Sequence, residues 1–172
     1  MALGFKQLST ENWTQPDETN RAFGRISPVA GPVRMREQDW AREFLAVELS
    51  AEVPEQIDDL FSIARGAMLY GWFFYPLFRL GEEQLYRVLE AAAKHRYRGA
   101  GGAEDEPSFH EAVAYLLERD LIAPSEAERW TAARRLRNIA SHPEQAAVVP
   151  PGMALRMLRA AQRDIDSLFT SP

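Results

Sequence analysis

Arg137, Asn138 and His142 are the residues of this sequence whose types and spacing suggest chemistry. A histidine has a pKa near neutrality, so its imidazole can move a proton from a ribose 2′-hydroxyl. A guanidinium can hold a phosphate and stabilise the negative charge that develops on it. A side-chain amide can orient either partner. Together these residue types are sufficient for cleaving a phosphodiester without a metal ion.

The spacing of the motif leaves two interpretations open. Arg137 and His142 are five positions apart, which puts their side chains about 140° apart on an ideal helix. Pro143 disfavours helical geometry at His142, so we predict that the helix ends at about Ser141 and that the imidazole can turn back toward Arg137. The alternative is that His142 caps the helix and that Arg137 is an ordinary solvated or ion-paired arginine. Spacing alone favours this alternative, because such a pair arises easily by chance.

The rest of the sequence indicates no metal, phosphate-loop or thiol chemistry. The three histidines are widely separated, and none of them has metal-ligand spacing to another. Residues 99–107 (GAGGAEDEP) follow a predicted helix and lack the Lys-Ser/Thr ending of a phosphate loop. Cysteine is absent, which rules out disulfides and thiol nucleophiles. We expect no metal and no cofactor.

The net charge of −5 gives the protein no overall basic field that would attract nucleic acid, so an RNA site needs local positive charge. The candidates for RNA binding are Arg129, Arg134 and Arg135 beside the motif, and Lys94, Arg96 and Arg98 near the end of a predicted long helix. The alternative is that each run is a solvated helix end. Tyr86 and Tyr97 could stack on bases, although aromatic residues at such positions more often belong to the core.

The elements that must position these residues are helices. Residues 1–34 show no sustained period and predict an arm that is extended or poorly ordered alone, with Trp13 and Phe23 as possible attachments. A short helix is expected over residues 35–49. A long helix is expected over residues 55–97, with a buried aromatic centre at residues 72–75 and a kink or break at Pro76.

Three further helices complete the predicted bundle. Ser108 is a plausible N-cap for the first, and Ser125 with Glu128 forms a predicted capping box for the motif helix. Pro150 and Pro151 start the last helix. Its apolar stripe comprises Ala154, Leu158, Ala161, Ile165 and Leu168. The sequence therefore predicts an all-α, up-and-down bundle in residues 35–172, with four core helices and a preceding short helix.

Residues 60–78 are nearly all apolar and approach the roughly 20 residues that a membrane span needs. Arg65, two glycines and Pro76 count against a span, so we expect a buried core helix and no membrane association. The first residues do not have the pattern of a signal peptide. With cysteine absent, this favours a cytoplasmic location.

Residues 55–169 resemble the HEPN domain superfamily, helical bundles of prokaryotic defence and toxin–antitoxin systems. The resemblance rests on the aromatic-rich helix that ends in residues 85–91 (LYRVLEA) and on the short helix 109–117. It also rests on residues 136–143 (LRNIASHP), followed by a helix that starts with proline. The motif of the family is Arg, four to six residues, then His, often with a polar residue after the Arg. Arg137, Asn138 and His142 match it.

The resemblance implies a metal-independent endoribonuclease that acts as a homodimer, with the motifs of two protomers facing each other in one cleft. It assigns His142 as the general base or acid, Arg137 as the phosphate clamp and Asn138 as the residue that holds the geometry. The products would be a 2′,3′-cyclic phosphate and a 5′-hydroxyl. RNA and a cognate antitoxin or defence-complex protein are the implied partners. The family also includes inactive RNA binders and adaptors, so the alternative function is a non-catalytic interaction module.

Overall fold

Apolar residues at helical spacing give this chain a bundle of helices. A computed structural model describes residues 5–21, 24–27, 31–34, 36–103, 106–140 and 149–170. The elements in chain order are α1 (Glu18–Arg21), β1 (Gly24–Ser27), β2 (Gly31–Arg34), α2 (Glu37–Leu45), α3 (Glu55–Tyr70), α4 (Leu77–Gly99), α5 (Phe109–Glu118), a 3₁₀ turn (Pro124–Glu126), α6 (Ala127–Ala140) and α7 (Pro151–Thr170). The predicted helical bundle is confirmed at this level, with one short β-hairpin near the N-terminus in addition.

Helix α4 is the centre of the bundle, because α3, α5, α6 and α7 all pack against it. Its contact with α3 is the most extensive, and Gly81 lies within this contact. A Cβ at Gly81 would collide with the side chain of Met68 and crowd the carbonyl of Ala64. Gly81, which looks like a weak point in the helix, is therefore a position where a larger residue would force Met68 or the helices to shift.

The predicted long helix over residues 55–97 is two helices, α3 and α4, joined by residues 71–76. Pro76 cannot continue a helix, because it lacks an N–H and its ring clashes with the carbonyl four residues back. It stands instead just before α4, where a missing donor costs nothing. The aromatic run 72–75, predicted to be helical, lies in this connection. The described bundle therefore has five core helices, α3 to α7, rather than four.

The predictions for two helix starts are confirmed, and the prediction for a third is wrong. Ser108 caps α5 in a capping box with Glu111: the Ser108 hydroxyl accepts from Glu111 N at 3.2 Å, and Ser108 N donates to the carboxylate at 2.7 Å. Helix α7 begins at Pro151, and its predicted apolar stripe is buried. Ser125 forms no capping box, because it lies inside the 3₁₀ turn that begins at Pro124, one turn ahead of α6.

Residues 5–21 attach to the α3–α4 connection through buried polar groups. Asp17 Oδ2 accepts a hydrogen bond from Tyr75 N at 3.0 Å, and Asp17 N donates to Trp72 O at 2.9 Å. Asn20 Nδ2 donates to Gly71 O and Trp72 O at 2.7 and 2.9 Å. The side chain of Trp13, a predicted attachment point, is instead 64% exposed. Phe23, the other one, lies outside the described residues.

Strands β1 and β2 form an antiparallel pair in which Gly24 is opposite Arg34 and Ser27 is opposite Gly31. The sequence predicted no strand here, since four residues are too few to show an alternating pattern.

Among the helices that the structure describes, none is both long enough and apolar enough to cross a membrane. Residues 60–78 are divided between the end of α3, the connection and the first residues of α4.

Candidate functional site: a carboxylate that joins two cations

Helix α6 places Arg137 on the side that faces the bundle. Trp130 and Ala133 are buried on this side, and Arg137 follows them at the spacing of one further helical turn. Packing of the two apolar residues therefore directs Arg137 toward α4. Asn138 is the next residue and is exposed to solvent.

Glu90 of α4 joins Arg137 to Lys94. Arg137 Nε donates to Glu90 Oε2 at 2.9 Å, and Lys94 Nζ lies 3.0 Å from Glu90 Oε1. We call these three residues the Glu90 cluster. The Glu90 side chain is 17% exposed, whereas those of Lys94 and Arg137 are 23% and 40% exposed. A half-buried carboxylate thus holds two cations at the edge of the bundle, within reach of solvent.

The electrostatics of the cluster favour the charged form of Glu90. Burial alone raises the pKa of this carboxyl, but the hydrogen bonds from Lys94 and Arg137 outweigh it, so the pKa lies below its ordinary value. The cluster itself contains one negative and two positive charges. Because Nε is fixed by Glu90, the plane of the guanidinium is set, and a planar guanidinium can bind a phosphate through two parallel hydrogen bonds.

The motif is described only in part. Helix α6 ends at Ala140, close to the predicted end, whereas His142 lies outside the described residues. The structure therefore places Arg137 and Asn138 of the predicted catalytic set.

Arg129 and Asp164 tie α6 to α7. Arg129 Nε lies 2.9 Å from Asp164 Oδ1, and Arg129 Nη2 lies 2.6 Å from Glu126 Oε1. Burial raises the pKa of Asp164, against the effect of Arg129. Arg129 stands two helical turns before Arg137, about 12 Å along the axis. Its contacts suit a role in stabilising the bundle.

The other basic candidates point in different directions. Arg134 is half-buried, and Arg135 is exposed on the outer face of α6. Arg96 borders a cavity of about 560 Å³ between the C-terminal ends of α4 and α5. Arg98 is exposed, and its charge adds to burial in lowering the pKa of His95. Lys94 is thus the RNA-binding candidate that the structure joins to Arg137, through Glu90.

Tyr86 and Tyr97 belong to the core. They are 5% and 6% exposed. The Tyr86 hydroxyl donates to Glu82 at 2.9 Å, and the ring of Tyr97 packs edge-on against Tyr115 with 4.6 Å between centroids. Burial, and then the charge of Glu82, raise the pKa of Tyr86. Neither ring is open to a base.

Glu90 is the site residue that sequence reasoning missed. A signal was present, because Glu82, Tyr86, Glu90 and Lys94 recur every four residues on the central helix. Arg79 extends this polar stripe with contacts of 3.0 Å to both Glu82 and Glu83. Polar residues that follow one face of a mostly buried helix need hydrogen-bond or ion-pair partners. Such a polar face therefore indicates a functional site or an ion-pair network.

In the part of the chain that the structure describes, no three His, Asp or Glu side chains are grouped as a metal site would require. No family model, curated protein or solved structure matches the chain.

Proposed function

We propose that the protein is a metal-independent endoribonuclease of the HEPN type, which acts as a defence effector or as the toxin of a toxin–antitoxin pair. The observation that supports this most directly is the Glu90 cluster. It holds the motif arginine at a solvent-accessible edge, beside a second cation, Lys94, and an exposed amide, Asn138. A phosphate clamp needs a guanidinium in a fixed orientation with a second cation beside it.

The reaction follows from the residue types. His142 takes the proton of a ribose 2′-hydroxyl, and the oxygen attacks the adjacent phosphorus. The bond from phosphorus to the 5′-oxygen breaks, and the leaving oxygen receives a proton. Arg137 binds the non-bridging oxygens, and Lys94 adds to the positive potential. The products are a 2′,3′-cyclic phosphate and a 5′-hydroxyl. The role of His142 rests on the family resemblance, as does a composite site at a homodimer.

The acidic total charge limits how the protein meets RNA. Affinity for RNA without sequence preference comes from many phosphate contacts, and a net charge of −5 opposes them. Binding would therefore depend on a few local contacts at the Glu90 cluster, and its dependence on salt should be shallow.

A non-catalytic interaction module is the second candidate, and the ion pairs of α6 favour it. Arg129 and Arg137 both bind carboxylates of neighbouring helices, which is what arginines do when their role is to hold a bundle together. In this case the exposed face of α6 would bind a protein, and RNA would not be cut.

RNA cleavage in the presence of a chelator separates the two candidates. We expect the wild-type protein to cut single-stranded RNA in EDTA and to leave 5′-hydroxyl ends that polynucleotide kinase can label directly. His142→Ala and Arg137→Ala should each lower the rate at least about 100-fold. His110→Ala is the matched control, because His110 is an exposed histidine on α5.

Two results would overturn the nuclease proposal. One is wild-type protein that leaves a varied panel of RNAs intact. The other is cleavage that His142→Ala does not change, since such activity would come from a contaminant or from another site. Growth inhibition on expression, relieved by His142→Ala and not by His110→Ala, is the corresponding test in cells.

A further inference from the structure

Cleavage of RNA at the Glu90 cluster needs two proton transfers, and the motif accounts for one of them. His142 takes the proton of the 2′-hydroxyl in the proposed reaction. The 5′-oxygen leaves as an alcohol, so a second group must give it a proton as its bond to phosphorus breaks. That donor must lie beside Arg137, because Arg137 holds the phosphate that carries the leaving oxygen.

Most of the described side chains around Arg137 cannot supply this proton. A guanidinium keeps its protons in proteins, and the amide of Asn138 is not an acid. Burial raises the pKa of Glu90, but its hydrogen bonds to Lys94 and Arg137 bring the pKa below the ordinary value, so Glu90 is ionised at neutral pH. The hydroxyl of Tyr86 lies in the core and donates to a neighbouring carboxylate at 2.9 Å.

His95 follows Lys94 in the sequence, but it lies on a different side of α4. Successive residues of a helix are about 100° apart around its axis. The ring of His95 packs against Phe169 of α7, with 5.9 Å between the centroids. Burial, and then the charge of Arg98, lower the pKa of His95, so its imidazole is mostly neutral at neutral pH. His95 is therefore unsuited to donate a proton at the cluster.

Lys94 has both the proton and the position. An ammonium carries three protons, and the contact of Lys94 Nζ with Glu90 Oε1 at 3.0 Å uses one of them. Arg137 Nε binds the other oxygen of the same carboxylate at 2.9 Å. The two nitrogens therefore cannot be further apart than these two contacts and the width of one carboxylate. The side chain of Lys94 is partly exposed, so a phosphate that binds from solvent can approach it.

We propose that Lys94 is the general acid that gives a proton to the leaving 5′-oxygen, a role that rests on the proposed nuclease function. The electron pair of the bond between phosphorus and the 5′-oxygen goes to the oxygen, which takes a proton from Lys94 Nζ and leaves as the 5′-hydroxyl. Lys94 is left as a neutral amine and takes a proton back from water. Glu90 holds Lys94 beside Arg137, so the proton donor and the phosphate clamp have a fixed relationship.

A substrate with a sulfur leaving atom tests this role. The bridging 5′-oxygen is replaced by sulfur at the site that the wild type cuts in ordinary RNA. A thiolate leaves without a proton, because thiols are far stronger acids than alcohols. We expect Lys94→Ala to cut ordinary RNA at least about 100-fold more slowly than the wild type, and the sulfur RNA less than about tenfold more slowly. The chain has no cysteine, so a thiol reagent measures the released 5′-thiol directly.

Lys94→Arg separates the proton from the charge. Arginine keeps the positive charge and can still bind Glu90, but it gives up no proton, so this variant should be slow on ordinary RNA and fast on the sulfur RNA. Lys6→Arg is the matched control and should behave like the wild type. Lys6 is the other lysine of the sequence and donates to Phe73 O at 3.0 Å in the α3–α4 connection. His142→Ala should stay slow on the sulfur RNA, because the 2′-hydroxyl still needs a base.

Three outcomes contradict the role of Lys94 while the nuclease proposal stands. If Lys94→Arg cuts ordinary RNA at the wild-type rate, only the charge of Lys94 matters. If Lys94→Ala, shown by thermal melting to be folded, is equally slow on both substrates, Lys94 does not protonate the leaving group. If sulfur rescues His142→Ala and not Lys94→Ala, His142 is the acid. Wild-type protein that cuts neither RNA overturns the nuclease proposal itself, and the role of Lys94 falls with it.

Discussion

The guanidinium of Arg137 on α6 is held by the carboxylate of Glu90 on α4, with 2.9 Å between Nε and Oε2. The other carboxylate oxygen of Glu90 binds Lys94 on its own helix. One side chain of the central helix thus determines where the motif arginine lies and which cation stands beside it. This relationship links the stability of the bundle to the proposed chemistry.

Replacing Glu90 with glutamine keeps the shape of the side chain and removes the charge that holds both cations. We expect the rate of RNA cleavage to fall about 10- to 100-fold, because a guanidinium without a fixed position is a poorer clamp. Glu83→Gln is the matched control, since Glu83 pairs with Arg79 on the same helix. Cleavage by Glu90→Gln at the wild-type rate would show that the Arg137–Glu90 pair is structural only.

Stability should depend on pH in opposite ways at Glu90 and Asp164. The pKa of Glu90 lies below its ordinary value of 4.5. Its contribution to the free energy of unfolding is therefore fully present above pH 4.5 and is lost as the pH falls through the folded-state pKa. Burial raises the pKa of Asp164 above its ordinary 3.8, so its contribution is present at lower pH and is lost as the pH rises.

Urea unfolding at neutral and acidic pH measures this difference. Glu90→Gln should lose less stability on acidification than the wild type, because it has no carboxylate to protonate. Asp164→Asn should lose more than the wild type, because it lacks a group that favours the folded state in acid. If both variants shifted in the same direction, the assignment of the two pKa directions would be wrong.

Gly81→Ala should destabilise the bundle, because the added methyl group collides with Met68 where α3 and α4 pack together. The expected loss is about 1–3 kcal/mol in the free energy of unfolding. Gly66→Ala is the control on α3, where a Cβ would have no atom within 4 Å. That variant should gain about 0.5–1 kcal/mol from helix propensity, and an equal response at both positions would contradict the packing.

Asp17→Ala should loosen the N-terminal segment, because it leaves Tyr75 N without its acceptor in a buried position. The expected cost is about 1–3 kcal/mol, and limited proteolysis should cut residues 5–21 faster. Trp13→Ala is the comparison, since the Trp13 side chain is 64% exposed and its loss should have little effect. A larger effect at Trp13 than at Asp17 would mean that the segment is attached differently.

Local signals in the sequence determined most of the helices. Ser108 caps α5 and Pro151 starts α7, because each acts on the backbone within one turn of itself. The break at Pro76 was predicted for the same reason. The number of core helices was not predicted, because one kinked helix and two separate helices have the same apolar pattern. The packing of Gly81 against Met68 shows that α3 and α4 are two helices that lie side by side.

The site was predictable in its chemistry and not in its contacts. The types of Arg137, Asn138 and His142 suggested phosphodiester cleavage from the sequence, but nothing local to them points to Glu90, 47 positions away. Asp17 and Tyr75 are likewise 58 positions apart. Capping and helix breaking depend on neighbours along the chain, so the sequence by itself determined them. The partners of Arg137 and Asp17 depend on which helix faces bring distant residues within about 3 Å, and only the tertiary structure decides that.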